Sequence, residues 1–399
     1  MLYLPGQPMH RQVLLLASAQ ALFQTASVLV MTVGGLAGAQ IAPSPGLATA
    51  PIAAMFLGTA VATVPASVWM TRVGRKIGFV SGAALGALGG LIAALGIFWG
   101  SLWLLAAGTF LVGVYQGFAQ FYRFAAAEVA DDRFRPRAIS LVLAGGVVAA
   151  VSGPALGQLG GPLLEPAYTG SFLLLAASAL LAAGLLFGVR VPPWQRPPPG
   201  EEGRPLVAIA RQPTYLVALF GAATGYGVMI LAMTATPIAM LHHDHALGEA
   251  ALVIQLHVLG MFLPSFVTGS LIARFGVLRI MQAGVGLLAG HVLLTLTGTA
   301  FSSFASALIL LGVGWNFLYI GGTTLLTSTY TPAERGRARG ANDMTIFVVG
   351  LASALAAGPM LEAFGWQLAN LLLLPWLGFA AFAIFWLARL RPAASGTVR

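Results

Sequence analysis

A chain of 399 residues in which 58% are hydrophobic and only 8% charged, with a mean hydropathy of +0.88, cannot clothe a water-facing surface. It reads as an all-α membrane protein, with too little left over for an appended soluble domain. Cysteine is absent, which excludes disulfides, thiolate metal sites and thiol nucleophiles. The net charge of +9 sits in gaps between apolar runs and forms no basic, aromatic-interleaved face for nucleic acid.

Apolar stretches of the roughly 20 residues that a helical crossing needs fall near residues 12–38, 47–70, 77–98, 101–127, 137–158 and 168–189, and again near 213–240, 247–273, 277–298, 303–329, 340–361 and 366–388. They predict about twelve transmembrane helices. The first is too long, and lacks the small-residue cleavage site, to be a removed signal peptide. Residues 191–212 include Pro192-Pro193-Trp194 and Pro197-Pro198-Pro199-Gly200-Glu201-Glu202, a stiff polar linker with no apolar face. It divides the chain into two six-helix bundles, residues 1–190 and 213–399.

Lys and Arg in short loops stay on the cytoplasmic side. Arg11 precedes helix 1, Arg72, Arg75 and Lys76 follow helix 2, Arg133, Arg135 and Arg137 follow helix 4, and Arg190, Arg196, Arg204 and Arg211 lie in or beside the linker. Arg274 and Arg279 follow helix 8, Arg335, Arg337 and Arg339 follow helix 10, and Arg389, Arg391 and Arg399 end the chain. Both termini are therefore expected in the cytoplasm.

The halves also align with each other at one fixed offset. Thr71-Arg72-Val73-Gly74 after helix 2 matches Ala273-Arg274-Phe275-Gly276 after helix 8, and Asp132-Arg133-Phe134-Arg135 after helix 4 matches Glu334-Arg335-Gly336-Arg337 after helix 10. A shared register in two separate loops marks an internal repeat. Parallel six-helix repeats form the architecture in which two bundles rock about a midplane site. Over essentially its whole length the chain resembles the major facilitator superfamily. Thr71-Arg72-Val73-Gly74-Arg75-Lys76 is similar to that superfamily's signature loop, with Arg72, Gly74 and Arg75 at motif positions and Thr71 where aspartate is usual. Gly153-Pro154-Ala155-Leu156-Gly157 resembles a helix-5 motif of antiporters, while Gly113 stands where exporters carry a proton-coupling arginine.

Helix 7 holds Met229 and Met233, and helix 8 holds His257 and Met261, each pair four residues apart and so on one helical face. Thioethers are neutral and polarizable and select Cu(I) over hard cations, and imidazole also binds copper. A Met/His set thus points to monovalent copper. Counted from the helix ends, Met229 and His257 are level, with Met233 a turn higher and Met261 a turn lower. Such a descending ladder suits conduction, which needs sites weak enough to release the ion. His242, His243 and His245 in the outer loop are candidates for capturing it at the entrance. His291 on helix 9 reads as a packing or lipid-boundary residue. At the repeat offset Met233 falls on Met31 and His257 on Met55, so these two are expected to face the ladder from the other bundle. Arg123, Glu128 and Asp343, the last beside Asn342, lie near the inner ends of helices 4 and 11 and form the expected inner gate.

The Met-x3-Met of helix 7 followed by the His-x3-Met of helix 8 resembles the hallmark of the CcoA-like copper importers, a bacterial branch of the superfamily. That resemblance implies copper as the transported substrate, with no resident cofactor, carried across the inner membrane for assembly of a cbb3-type haem-copper oxidase; the copper ion and membrane lipids are the implied partners. Relatives in the wider group are similar to riboflavin transporters, so the alternative cargo is a flavin or another small organic molecule. Gln24, Gln120, Phe121, Tyr122, Tyr226, Trp315, Asn316 and Tyr319 are its candidate contacts, because a planar ring system needs stacking faces and amide partners. No nucleophile-base pair or closed metal cage is readable, and no enzyme is expected.

Overall fold

The computed structural model describes residues 9–131, 138, 141–142, 144–191, 203–331 and 334–390. Among these, every regular element is a helix, as hydrocarbon demands of a chain that must satisfy its own backbone hydrogen bonds. The first half contains α1 (Met9–Ile41), α2 (Ala50–Val73), α3 (Arg75–Phe98), α4 (Leu102–Ala119, continued after a turn by Tyr122–Val129), α5 (Gly145–Gly160) and α6 (Thr169–Phe187). The second contains α7 (Pro213–His242), α8 (Leu247–Phe262, bent by 41° into Ser265–Phe275), α9 (Val277–Thr295) and α10 (Phe301–Thr327). A last helix, Arg335–Leu371, is broken at Gly365, where φ 69 and ψ 177 leave the helical region. Its part before that glycine is α11; the part after it, with Leu374–Leu390, is α12.

Nine described helices are long and apolar enough to cross a membrane, or ten if the bent pair of α8 is one crossing. The difference from the expected twelve has two causes. The chain between Gly336 and Leu390 counts as one 55-residue stretch although Gly365 folds it in two, and α5 is described over only 16 residues. The linker residues 192–202 and the matched loop Asp132-Arg133-Phe134-Arg135, with Arg137, lie outside the described residues.

The repeat is visible in the backbone. Gly74 joins α2 to α3 at φ 90, ψ 155, and Gly276 joins α8 to α9 at φ 88, ψ 148. A side chain at either would be strained in that left-handed region, so glycine sets both corners. The repeat recurs in the packing: Gly113 of α4 sits against the carbonyl of Met55, and Gly312 of α10 sits against the carbonyl of His257. Close helix crossings of this kind clamp each half.

On the side of the chain ends, the main polar ties run within a half. Arg75 grips Glu128 with two nitrogens, Nε lying 2.7 Å from Oε2. In the second half, Arg204 donates to Glu334 from its backbone N (2.8 Å), Nε (2.7 Å) and Nη2 (2.9 Å), and Thr331 N adds a fourth bond at 2.9 Å. The chain leaving the linker is thus pinned beneath α10 and α11. These donors, Arg204 first, hold the Glu334 carboxyl well below the usual carboxylate range. A depressed carboxylate contributes stability above its unfolded pKa of about 4.3 and loses it only as pH falls through the lower folded value. Glu334→Gln is expected to lower the melting temperature of the purified protein by the same amount at about pH 7 and about pH 5. A deficit that vanishes already at about pH 5 would contradict this linkage.

Candidate functional site

Between the halves lies a cavity of about 180 Å³. Its lining is graded along the membrane normal, because α1 and α7 run away from the chain ends while α4, α8 and α10 run back toward them. Nearest the chain ends are Gln20 and Gln24 from α1, Gln116 and Gln120 from α4 and the following turn, and Arg123. Farther out comes an aromatic wall in which Trp315 and Tyr319 stack at 4.9 Å and 12°, with Tyr226 edge-on to Phe56 and Phe347 at 6.1 and 6.3 Å. Met31, Met229 and Met233 form a thioether ceiling beyond it, while Met261 sits at the level of Trp315, its carbonyl accepting from Asn316 Nδ2 at 2.7 Å.

The halves meet above that ceiling. Thr49 donates to the Ala354 carbonyl at 2.9 Å, Gly35 backs onto Ile238, and Gly46 lies against Gly358 and Glu362. The cavity is therefore closed toward the face away from the termini. At its polar end the Arg123 guanidinium is within electrostatic reach of Tyr319 and Asp343 in the other half. Three buried polar atoms of the lining have no hydrogen-bond partner in the protein: Gln24 Oε1, Arg123 Nε and Trp315 Nε1. In a span, such groups mark a substrate path, since each costs free energy until something satisfies it.

The expected copper ladder assembles only in part. Met229, Met233 and Met261 line the cavity and Met31 joins them from the first half, but His257 does not. Its ring is fully buried inside its own half, where Nδ1–H donates to the Leu308 carbonyl of α10 at 2.9 Å. An imidazole N–H in a membrane must find an acceptor, and the α10 backbone supplies one, while Nε2 has no partner. Met55, its repeat mate, is fully buried and also absent from the lining. The outer-loop histidines do not converge. His242 and His243 are exposed, whereas His245 holds Thr299 O at 2.8 Å and Glu249 Oε2 at 3.1 Å. These contacts, the Thr299 carbonyl first, raise its ring pKa. Among the described residues no group of three or more His, Asp or Glu could hold a metal ion. His291 is buried, not lipid-facing, with its two ring nitrogens on Ala307 O (2.9 Å) and Asn370 Oδ1 (3.0 Å).

The inner-gate expectation divides similarly. Arg123 approaches Asp343, whose Oδ1 accepts from Asn342 Nδ2 at 3.1 Å, but Glu128 belongs to Arg75. Glu128 lies more than a helical turn beyond Arg123, level with the start of α3, where a forked guanidinium meets it two-on-two. Of the residues named for a planar organic cargo, Gln24, Gln120, Tyr226, Trp315 and Tyr319 line the cavity. Tyr122 instead packs edge-on to Phe79 at 4.8 Å, Phe121 lies beside Phe124, and Asn316 bonds Met261 O, Ser265 and Thr268. Gln20 and Gln116 went unnamed, although each stands four residues before a glutamine that was named. Two amides on one face of an apolar helix are the signal that finds them.

Two clamped helical halves around a cavity with a polar floor define a multi-pass membrane transporter. The chain belongs to the major facilitator superfamily, whose family model matches residues 14–243 and 216–399. It is 41% identical over 369 residues to the riboflavin transporter RfnT of Brucella anthropi, covering 92% of this chain and 93% of that one. It is 30% identical over 373 residues to YdeG, an uncharacterized transporter of the same type from Bacillus subtilis, covering 88% and 86%. Among solved structures it is similar to an inward-facing, occupied bacterial homolog of the human lysosomal transporter Spinster, with a TM-score of 0.76 at 15% identity over 96% of this chain and 98% of that chain. The nucleoside transporter NupG aligns with a TM-score of 0.71 at 14% identity over 93% and 99%. The superfamily expected from the signature loop is thus correct, whereas the copper branch gains no support: the relative with a named cargo is a riboflavin transporter, and His257 is not part of the cavity lining.

Proposed function

We propose that the protein imports riboflavin, or a closely related flavin, across the bacterial inner membrane by alternating access of its two halves, with both termini in the cytoplasm. The observation that carries the reading is the pairing, in one cavity, of the stacked Trp315-Tyr319 platform with glutamine amides and three unpartnered polar atoms. An isoalloxazine is flat, apolar at its dimethylbenzene end and polar at its pyrimidinedione end. It suits a chamber with thioethers at one end and amides at the other, since methionine sulfur packs well on aromatic rings. The 41% identity to RfnT supports the same cargo. In this reading the methionines at the repeated four-residue spacing are ring contacts and not copper ligands.

Uptake of labelled riboflavin by a flavin auxotroph that lacks its own transporter tests the proposal, with radioactive copper supplied in parallel. Cells carrying the protein should accumulate riboflavin. Trp315→Ala should cut uptake about tenfold at equal protein level through loss of a stacking face, and Met233→Leu, which conserves volume, by no more than about threefold. Copper should stay at the empty-vector level. Copper accumulation that depends on Met233, with no riboflavin uptake, would replace this proposal with the metal reading.

A further inference from the structure

Building on the flavin reading, we infer that the cavity recognises its cargo by a cyclic imide edge, and that Gln24 is the residue that reads it. The orphaned atoms of the lining are two donors, Arg123 Nε–H and Trp315 Nε1–H, and one acceptor, Gln24 Oε1. A ring imide, –CO–NH–CO–, displays the complementary set of two acceptors flanking one donor. Other polar groups leave one of the three unmet or opposed. A carboxylate or phosphate offers acceptors only and leaves the Gln24 oxygen, in the amide orientation seen here, without a donor. An ammonium offers donors only and sets a positive charge against Arg123. A simple amide pairs with one donor and with Gln24 but leaves the second donor unsatisfied, which a buried site penalises. The class that fits is therefore the neutral pyrimidinedione: flavins, lumazines and related rings.

The distribution of the three atoms adds a consequence for transport. Gln24 and Arg123 belong to the first half and Trp315 to the second. An imide bound by all three bridges the halves, so its single N–H is read where the two bundles close on the cargo. A methyl group on that nitrogen removes the donor and puts a hydrocarbon against the Gln24 oxygen.

Purified full-length protein titrated with riboflavin and with N3-methylriboflavin, followed by quenching of flavin fluorescence, tests the inference. The unaltered protein should bind the N3-methyl compound at least about tenfold more weakly, as sites built around a hydrogen bond reject ligands lacking it. Gln24→Leu should bind both flavins equally, holding the N3-methyl compound as the unaltered protein does, which also shows that the variant is folded. Trp315→Phe removes a donor to a carbonyl that both ligands carry, so it should weaken both by one factor and preserve the discrimination. If the unaltered protein binds both flavins equally, or if Gln24→Leu discriminates as strongly, the imide reading falls while the flavin cargo stands. Binding of neither flavin by the unaltered protein removes the cargo proposal and this inference with it.

Discussion

Arg123→Ala is expected to reduce flavin uptake about 100-fold or more, the largest loss for any single side chain of the cavity. The guanidinium extends from the inner continuation of α4, rests on the Phe124 ring at 4.9 Å, and reaches toward Tyr319 and Asp343 of the opposite half. Among the described residues it is the one cation of the lining. Removing it strands the Asp343 carboxylate with the Asn342 amide and the weaker field of Arg339. The two charges attract without a direct hydrogen bond between them, and removing either leaves the other less compensated. Asp343→Asn strands Arg123 in the same way. In the double variant both charges are gone, so its melting temperature should exceed that of either single variant. Its transport should stay low, because Arg123 also lines the cavity and keeps an unpartnered Nε. Uptake by Arg123→Ala within about twofold of the unaltered protein would show that the two halves do not communicate through this pair.

Much of this molecule is legible in its sequence, because hydrocarbon enforces it. Apolar runs had to become helices, and the offset that aligns Gly74 with Gly276 reappears as nearly identical backbone angles. The break at Gly365 was legible as well, since the apolar stretches near 340–361 and 366–388 are separated there and a positive φ folds the helix into two. At the site, four-residue spacing correctly put Met229 beside Met233 on one face and directed both inward. The same rule misled for His257, since spacing fixes a helical face and not the neighbour it meets. His257 turns to the Leu308 carbonyl because α10 approaches there as closely as Gly312 allows. The glutamines were the stronger signal. A thioether buries in lipid at little cost, whereas Gln20, Gln24, Gln116 and Gln120 each bring an amide into the membrane that must be repaid by a partner or a cargo. Glu128 is drawn out of the expected gate by Arg75, which is distant in sequence but meets it at the start of α3.

Gly358→Val is expected to hold the transporter open toward the outer face and to lower uptake by about tenfold or more at unchanged protein level. At this position α11 lies directly on the turn that precedes α2. A Cβ on Gly358 would come within 2.5 Å of the Gly46 carbonyl oxygen and 3.0 Å of Thr49 Oγ1. That hydroxyl is itself committed to the Ala354 carbonyl at 2.9 Å, one turn earlier on α11. Backbone on both sides leaves nothing soft to give way, so the branched side chain must part the halves at their closed seam. Overpacking of about 1–3 kcal/mol acts on this closed state alone, and it moves the balance between the two conformations by roughly 5- to 150-fold. The cavity should still bind flavin, since Gly358 is not part of its lining. The absence of cysteine gives a clean reporter. A membrane-impermeant thiol reagent applied from outside should label Met31→Cys faster when Gly358→Val is also present, because Met31 lies beneath the seam. Equal labelling in both backgrounds, with uptake intact, would mean that this glycine contact is not the outer gate.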